Sequence, residues 1–251
     1  MANYKQNALL CLKALPKLIP LFAEKNYIFI ISHMRARTTL ISHLLDSSPE
    51  IVGNTELHVR YRHAIDELKS KMLRVHEKDY NEARYICDKL LHNRLVINLE
   101  RYANAKFIFN LRDPEDTFKS LLKRHLQIEG EDSIFKLKRY YNERLIFMES
   151  LWDKLNPEQR IYINSDTLIE QPTHVLAELT DFLDLANPLQ PEYKTNEHTG
   201  QSGKGDMSEN IKSGKIIKTK NDLNEKEASL LSSIFSDEEK SNFNRLHNKF
   251  Q

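Results

Sequence analysis

The sequence has few of the residues that build metal centres or disulfide frameworks. Of its 251 residues only two are cysteines, Cys11 and Cys87, and they lack the spacing of metal ligands. The ten histidines are scattered, without an H-x-x-x-H pair, so we expect no metal site. So few cysteines favour a reducing compartment and two inert, buried thiols. The sequence therefore predicts a cytoplasmic protein.

A strong net charge and a long hydrophobic run are also missing. The 37 Lys and Arg residues against 36 Asp and Glu residues give a formal charge of +1, so no overall field draws the chain to nucleic acid or anionic lipid. The apolar segment 8–22 is interrupted by Lys13, Pro16, Lys17 and Pro20 and is too short to span a bilayer. It favours a helix packed on the domain, with binding at a lipid surface as the alternative.

Glycine is scarce, and the glycine-rich phosphate loop G-x-x-x-x-G-K-[ST] is absent. Instead, an apolar run ends at Ser32 and leads into a segment, 38–45, with helical spacing. Two arginines, Arg35 and Arg37, lie between the apolar run and this segment, and two threonines, Thr38 and Thr39, begin the segment. A strand that turns into a helix is an anion site, because the first N–H groups are unpaired and the helix dipole favours negative charge. The alternative for this turn alone is a surface turn with solvated arginines.

A second strand–helix junction occurs downstream. Residues 106–111 have the pattern of a buried strand, Asp113 suits a helix N-cap and Pro114 suits the first helical position. Arg112 stands at the end of the strand and Ser120 about two turns into the helix, so both could reach one anion. The alternative is an arginine paired with Asp113 and a serine on a solvated face.

Together the two junctions resemble the donor-binding motifs of the sulfotransferase family, which uses 3′-phosphoadenosine-5′-phosphosulfate (PAPS). There, a G-x-P-R-S-G-T-T-L turn holds the donor's 5′-phosphosulfate, and residues 32–40 read S-H-M-R-A-R-T-T-L. An R-D-P segment with a serine eight residues after its arginine holds the 3′-phosphate. The resemblance implies the following donor contacts: Arg35, Ala36, Arg37, Thr38, Thr39, Arg112, Ser120, Lys204 and Gly205.

Three further segments strengthen the resemblance. Residues 45–58 resemble the D-x-H-P-x-x-x-x-x-E-E segment of tyrosylprotein-type sulfotransferases, which implies Glu56 as the catalytic base and leaves His58 as the alternative. Residues 85–89 resemble a strand that ends in a catalytic lysine, here Lys89. Residues 203–212 resemble the glycine-rich C-terminal loop that closes over the donor. The sequence departs from the family pattern at Ala36-Arg37, where a glycine is expected, and at Met207, where a tryptophan is usual.

Alternating patterns predict an α/β fold, a three-layer sandwich around a central parallel sheet. We expect strands near 27–32, 50–53, 84–87, 106–111 and 159–163. The resemblance implies a P-loop NTPase-like sulfotransferase fold in a single domain, 1–251, with an α/β core over 26–185, a donor-covering loop over 186–222 and a terminal helix over 223–250. Ser32, Glu56, Lys89 and Arg112 all fall at or beyond predicted strand ends, where ligands bind in such sheets.

The implied chemistry is sulfuryl transfer from PAPS to an acceptor hydroxyl of a carbohydrate, lipid or small molecule, without a metal. Arg35 would stabilise the sulfuryl oxygens, Lys89 the leaving side, and Glu56 would accept the proton. His33 and His92 flank the site, and a structural role is favoured for both. The alternatives are a P-loop-like nucleotide kinase and a non-catalytic module that binds a nucleotide or polyanion.

Acceptor contacts are expected from segments 57–82 and 125–150. The candidate residues there are Arg60, Arg62, Tyr61, Tyr140 and Tyr141. The arginines favour an anionic acceptor weakly, against the alternative of a solvated helix face. No nucleic-acid partner is expected, and the sequence does not indicate an oligomeric state.

Overall fold

The described part of the chain contains one five-stranded parallel sheet with the order β2-β3-β1-β4-β5. A computed structural model describes residues 21, 23–77, 79–124, 131–195, 209–218 and 223–251. The strands are β1 (Asn26–Ser32), β2 (Ile51–Val52), β3 (Tyr85–Leu90), β4 (Lys106–Leu111) and β5 (Arg160–Asn164). The predicted central parallel sheet is confirmed.

Helices cover both faces of the sheet. In chain order they are α1 (Thr38–Asp46), α2 (Ala64–Arg74), α3 (Pro114–Arg124), α4 (Glu131–Trp152), α5 (Ser165–Glu170), α6 (Pro172–Leu183), α7 (Glu209–Lys212), α8 (Glu225–Ile234) and α9 (Asp237–Phe250), with a 3₁₀ turn at Pro157–Gln159. Within the described ranges no helix is long and apolar enough to cross a membrane.

The side chains of β1 alternate between two apolar cores, as the period of a strand requires. Tyr27, Phe29 and Ile31 enter a core shared with α3, α4, α8 and α9. Ile28 and Ile30 enter a second core shared with α1, α5 and α6. A strand buried on both faces explains the continuous apolar run in the sequence. The three-layer sandwich is thereby confirmed.

The connections from β1 and β4 leave the sheet toward opposite faces. Helix α1 follows β1 into the core that contains Ile28, whereas α3 follows β4 into the core that contains Phe29. In an open α/β sheet such a divergence opens a crevice at the carboxyl ends of the two strands, and ligands bind there. The two predicted anion-binding junctions lie on either side of this crevice.

Two sequence predictions about elements are wrong. Strand β3 continues to Leu90, so Lys89 lies inside the strand rather than beyond its end. The C-terminal region forms two helices, because Ser236 begins α9 with a capping box in which Glu239 bonds back to the Ser236 N–H at 3.0 Å. The S-x-x-E pattern of residues 236–239 signals this break in the sequence.

Parts of two predicted segments lie outside the described residues. These are most of the helix predicted over 8–22, and Lys204 and Gly205 of the donor-covering loop. Two described stretches of the 186–222 segment are joined by an antiparallel bridge between Glu192 and Lys215. Tyr193 there packs against α1, with its ring 5.7 Å from the ring of His43.

We predict that Phe250→Ala lowers the free energy of unfolding by about 3 kcal/mol, because it leaves a cavity in the core. Phe250 is buried, and its ring stacks on Trp152 at 4.4 Å and lies 5.4 Å from Phe109. Urea denaturation measures the change. The matched control is Phe135→Ala, because Phe135 is 65% exposed and its truncation should cost less than about 0.5 kcal/mol. Equal costs for both variants would contradict the docking of α9.

Candidate functional site

The turn between β1 and α1 contains two residues in the left-handed region, Arg35 (φ 64°) and Arg37 (φ 58°). This conformation costs a non-glycine residue about 1–2 kcal/mol. Strained backbone of this kind persists where the surroundings hold it in place, and it concentrates at functional sites. Arg37 occupies the position at which the resemblance leads us to expect glycine, the residue that adopts this conformation without steric cost.

Three carbonyl groups of this turn accept hydrogen bonds from buried side chains of other elements. The bonds run from Arg144 Nε to Ser32 O (2.8 Å), from Arg112 to Arg35 O (3.1 Å) and from Asn110 Nδ2 to Ala36 O (2.6 Å). The negative ends of these peptide dipoles are thus directed at protein donors. The first N–H groups of α1 follow directly, so the turn is suited to bind an anion.

The helix of the second junction begins where the sequence predicts. The carboxylate of Asp113 accepts the N–H of Asp116 at 3.1 Å, which confirms the N-cap of α3. Arg112 pairs with Asp116 at 3.3 Å rather than with Asp113. Arg35 Nε donates to Ser120 Oγ at 2.9 Å, so the two motifs meet in one place although 85 residues separate these partners in sequence.

Arg112 is buried and its Nε has no hydrogen-bond partner within the described ranges. Burial lowers the pKa of its guanidinium, and the positive charge of Arg37 lowers it further. A buried donor without a partner is costly. A phosphate oxygen would satisfy this Nε and offset the repulsion between the two arginines, so the site fits a phosphate group.

The side chain of Arg37 points toward the start of α5. It donates to Ser165 O at 3.1 Å and forms an ion pair with the carboxylate of Asp166. Ala36 is fully buried, whereas Thr38 lies in the first turn of α1. A donor contact from the Arg37 side chain therefore stays a prediction that requires this ion pair to open or to be shared.

The first residue of the loop after β2, Gly53, lies where a side chain would not fit. Gly53 has φ 124°, and a Cβ atom there would lie 2.2 Å from Cys87 O. Asp46, at the end of α1, accepts Gly53 N–H at 2.7 Å and Asn54 Nδ2 at 2.8 Å. These contacts hold the loop against β3 and fix where the chain emerges toward Glu56.

Two buried charges hold the residues on either side of Glu56. Arg74, from α2, donates to Thr55 Oγ1 at 2.9 Å and to Thr55 O at 2.6 Å. The Asp88 carboxylate, from β3, accepts Leu57 N–H at 3.0 Å. Both charged side chains are at most 1% exposed. The backbone of Glu56 is therefore fixed from both directions, which favours a positioned carboxylate.

Glu56 lies beside Lys89 and His58. Lys89 is 1% exposed, and its Nζ donates to Asn54 O at 3.2 Å. Burial lowers the pKa of Lys89, and the carboxylate of Glu56 opposes this shift. His58 Nε2 lies 3.9 Å from Glu56 Oε2, and the His58 side chain is 55% exposed. The structure thus brings the predicted base, the alternative base and the lysine together.

His33 has the structural role that the sequence favours. Its Nδ1 lies 3.0 Å from Met34 O, and its Nε2 accepts the Arg112 N–H at 3.4 Å. Burial lowers the pKa of His33 to about 4, so the ring is neutral at physiological pH. His92 is half-buried beside the ring of Tyr140, at 5.8 Å between centroids.

The expectation that Tyr61 and Tyr141 contact an acceptor is wrong, because both are fully buried in the core. Tyr61 instead donates to the Asp88 carboxylate at 2.7 Å. The hydroxyl of Tyr140 accepts Met34 N–H at 2.9 Å and donates to Leu91 O at 2.8 Å, so it fastens the first turn to the end of β3.

Sequence reasoning missed the residues that position the site. Asp88 has a signal in the sequence, since it stands next to Lys89 in an otherwise apolar strand and buried charges are seldom unpaired. Arg74 and Arg144 have no such signal in the sequence. Their helices contain other charged residues at similar spacing, so the sequence does not show which of these side chains is buried. Among the described residues no group of three or more His, Cys, Asp or Glu side chains is arranged to hold a metal ion.

The sequence matches one family model, that of the Sulfotransferase family, over residues 58–188. The matched region covers more than half of the chain and includes Arg112 and Ser120, and it begins after Glu56. Among curated proteins no significant match to this sequence was found.

Several solved structures share the fold. The sulfotransferase domain of the curacin biosynthetic pathway aligns over 89% of this chain and 98% of its own, with 17% identity and a TM-score of 0.60. Mouse sulfotransferase SULT7A1, complexed with PAP, aligns over 94% and 89%, with 13% identity and a TM-score of 0.51. Sulfotransferase STF1 from Mycobacterium tuberculosis aligns over 69% and 71%, with 12% identity and a TM-score of 0.53.

We predict that stability depends on pH through His33 and Asp46 with opposite signs. His33 has its ordinary pKa of 6.5 when unfolded and a pKa of about 4 when folded, so the unfolded state binds the proton more tightly. Its contribution to stability falls by about 2 kcal/mol between pH 7.5 and 5. Burial raises the pKa of Asp46 from 3.8 to about 6, so its contribution rises by about 1.4 kcal/mol over the same interval.

Urea denaturation at both pH values measures these contributions. His33→Gln should lose less stability on acidification than the wild type, and Asp46→Asn should lose more. Identical pH dependence in the wild type and both variants would contradict the burial of these groups.

Proposed function

Because the chain belongs to the sulfotransferase family, we propose that it transfers a sulfuryl group from PAPS to an acceptor hydroxyl, with Glu56 as the base. The observation that carries this proposal is the hydrogen bond between Arg35 and Ser120. It joins the turn expected to bind the 5′-phosphosulfate to the helix expected to bind the 3′-phosphate. Mouse SULT7A1, which shares the fold, was solved with PAP, the nucleotide that remains when PAPS has given up its sulfuryl group.

The donor would lie over the crevice between β1 and β4. Arg35, Thr38 and Thr39 would bind the 5′-phosphosulfate at the N-terminus of α1, where the helix dipole favours negative charge. Arg112 and Ser120 would bind the 3′-phosphate, which supplies the partner that Arg112 Nε lacks. Lys204 and Gly205, outside the described residues, would close over the nucleotide from the C-terminal loop.

In the transfer, a bond forms between the acceptor oxygen and sulfur while the bond from sulfur to the phosphate oxygen breaks. Glu56 would accept the proton of the acceptor hydroxyl, and the electron pair of the broken bond would leave with adenosine 3′,5′-bisphosphate. Arg35 would stabilise the sulfuryl oxygens and Lys89 the charge on the leaving side, since fixed cations act most strongly in a site shielded from water. His58, at the rim of the site, is the alternative base.

The acceptor class proposed here is a carbohydrate, a lipid or a small molecule with a free hydroxyl. The cytoplasmic location expected from the cysteine content stays a prediction. The kinase alternative has no supporting observation in the site, and a non-catalytic module remains as an outcome of the tests below.

We predict that Arg112→Ala weakens binding of adenosine 3′,5′-bisphosphate roughly tenfold to 150-fold, because it removes a charge-assisted contact worth ~1.5–3 kcal/mol. Binding of adenosine 5′-phosphate should change little. Isothermal titration calorimetry measures both. Arg245→Ala is the matched control, since Arg245 is an exposed arginine of α9 that pairs with Glu149 of α4 and belongs to neither donor motif. An equal loss for both nucleotides would refute the assignment of the 3′-phosphate.

We predict that Glu56→Gln lowers kcat by about 10²–10⁴, since it keeps the shape of the side chain and removes a positioned base. Affinity for adenosine 3′,5′-bisphosphate should stay within a few-fold. The assay follows ³⁵S transfer from labelled PAPS to a panel of acceptors. His58→Ala should keep most of the activity.

If Glu56→Gln turns over normally and His58→Ala is inactive, His58 is the catalytic base and Glu56 is not. No transfer by the wild type to any acceptor, despite tight nucleotide binding, would indicate the non-catalytic module.

A further inference from the structure

The segments that follow β2 and β3 run side by side at the carboxyl edge of the sheet. Tyr61 N–H donates to Val96 O at 3.0 Å, and Asn98 N–H donates to Tyr61 O at 2.8 Å. Tyr61 and Ile97 form a parallel bridge. Before the bridge the second segment turns, with Leu95 N–H bonded to His92 O at 3.0 Å, so His92 and Arg94 lie in this turn. The charges of Arg94 and of His58 both act on His92, which brings basic residues of the two segments into one region.

Five basic residues define this surface, which we name the basic rim: His58, Arg60, Arg62, His92 and Arg94. On the first segment, buried Val59 and Tyr61 alternate with exposed His58, Arg60 and Arg62. The three exposed residues thus lie on the solvent side. On the second segment Arg94 is exposed and His92 is partly buried.

The basic rim contains no acidic residue. Between Glu56 and Asp66, and again between Asp88 and Glu100, the sequence has none. Within the described ranges, no carboxylate forms an ion pair with Arg60, Arg62 or Arg94.

The nearest acids along α2 already have hydrogen-bond or ion-pair partners. Asp66 accepts the N–H groups of Arg62 and His63, at 3.0 and 2.9 Å, as the cap of the helix. Glu67 pairs with Lys71 at 2.9 Å and with Arg101 at 3.0 Å. Like charges without counterions concentrate anions from solution.

The basic rim adjoins the proposed base. His58 Nε2 lies 3.9 Å from Glu56 Oε2. Burial lowers the pKa of His92, and the charges of Arg94, Arg144 and His58 lower it further. His92 therefore lies within reach of three other basic side chains, the buried Arg144 and the exposed Arg94 and His58.

We infer that the acceptor carries a carboxylate, phosphate or sulfate group in addition to the hydroxyl to be sulfated, and that the basic rim binds this anionic group. The inference rests on the proposed function, with Glu56 facing the acceptor. Arg60 and Arg94 orient the acceptor by charge-assisted hydrogen bonds, while Glu56 takes the proton. The donor phosphates use other arginines, Arg35 and Arg112, so the two anionic partners do not compete.

Binding to the full chain tests the inference with matched neutral and anionic probes. Titration calorimetry compares 4-nitrophenyl glucoside with 4-nitrophenyl glucuronide, and glycerol with glycerol 1-phosphate, in saturating adenosine 3′,5′-bisphosphate and in its absence. The wild type should bind each anionic member about tenfold more tightly than its neutral parent, and raised salt should reduce the difference. Vesicles containing phosphatidylglycerol, compared with soluble glycerol 1-phosphate, distinguish a lipid headgroup from a soluble ester.

Variants assign the preference to the basic rim. Arg60→Gln and Arg94→Gln should each reduce the preference about threefold to fivefold, and the double variant should abolish it. Lys154→Gln is the control, because Lys154 is exposed at the opposite edge of the sheet and its loss should leave the preference unchanged. Affinity for adenosine 3′,5′-bisphosphate should stay the same in all these variants.

The inference is overturned if no anionic probe binds more tightly than its neutral parent, or if the double variant keeps the preference. Failure of the proposed function would look different. In that case adenosine 3′,5′-bisphosphate would not bind, while the loss of the anion preference in the double variant would still report on the basic rim.

Discussion

Buried side-chain donors that bind the carbonyl groups at the carboxyl edge of the sheet hold the candidate site together. Arg144 is the central one, since it reaches from α4 to Ser32 O at the end of β1 and to Leu90 O at the end of β3. It is fully buried, and burial lowers the pKa of its guanidinium to about 10, so it stays charged at neutral pH. An arginine buried without a carboxylate is costly, and carbonyl dipoles offset that cost while they fix the two strand ends.

The same arrangement determines the electrostatics of the crevice. Carbonyl oxygens would repel an anion, but here they are bound by Arg144, Arg112 and Asn110. The guanidinium groups of Arg144 and Arg112 remain close to the crevice, in surroundings that screen charge poorly. Burial lowers the pKa of Lys89, and the carboxylate of Glu56 favours the charged form of this lysine. The proposed donor and the proposed base would then occupy neighbouring positions, each close to basic side chains.

Local sequence patterns predict the strands, the helices and the donor motifs. They do not predict the buried side chains that hold the site residues in place. The apolar run before Ser32 and the Asp113-Pro114 start of α3 each depend on a few consecutive residues, so the sequence predicts them well. The sequence predicts too early an end for β3, because Asp88 and Lys89 interrupt the apolar pattern although the fold buries both. The hydrogen bonds from Arg74 to Thr55 and from Tyr61 to Val96 join residues far apart in sequence. No local sequence pattern predicts such contacts.

The ion pair between Arg37 and Asp166 constrains which substitutions the first turn can accept. Glycine adopts the left-handed conformation at position 37 without help, whereas arginine there needs an anchor. Asp166 supplies that anchor from α5, and it also accepts the Asp113 N–H at 3.1 Å. Positions 37 and 166 are therefore coupled. Glycine at position 37 would leave Asp166 with Arg112 as its cationic neighbour, so the effect of a substitution at either position depends on the residue at the other.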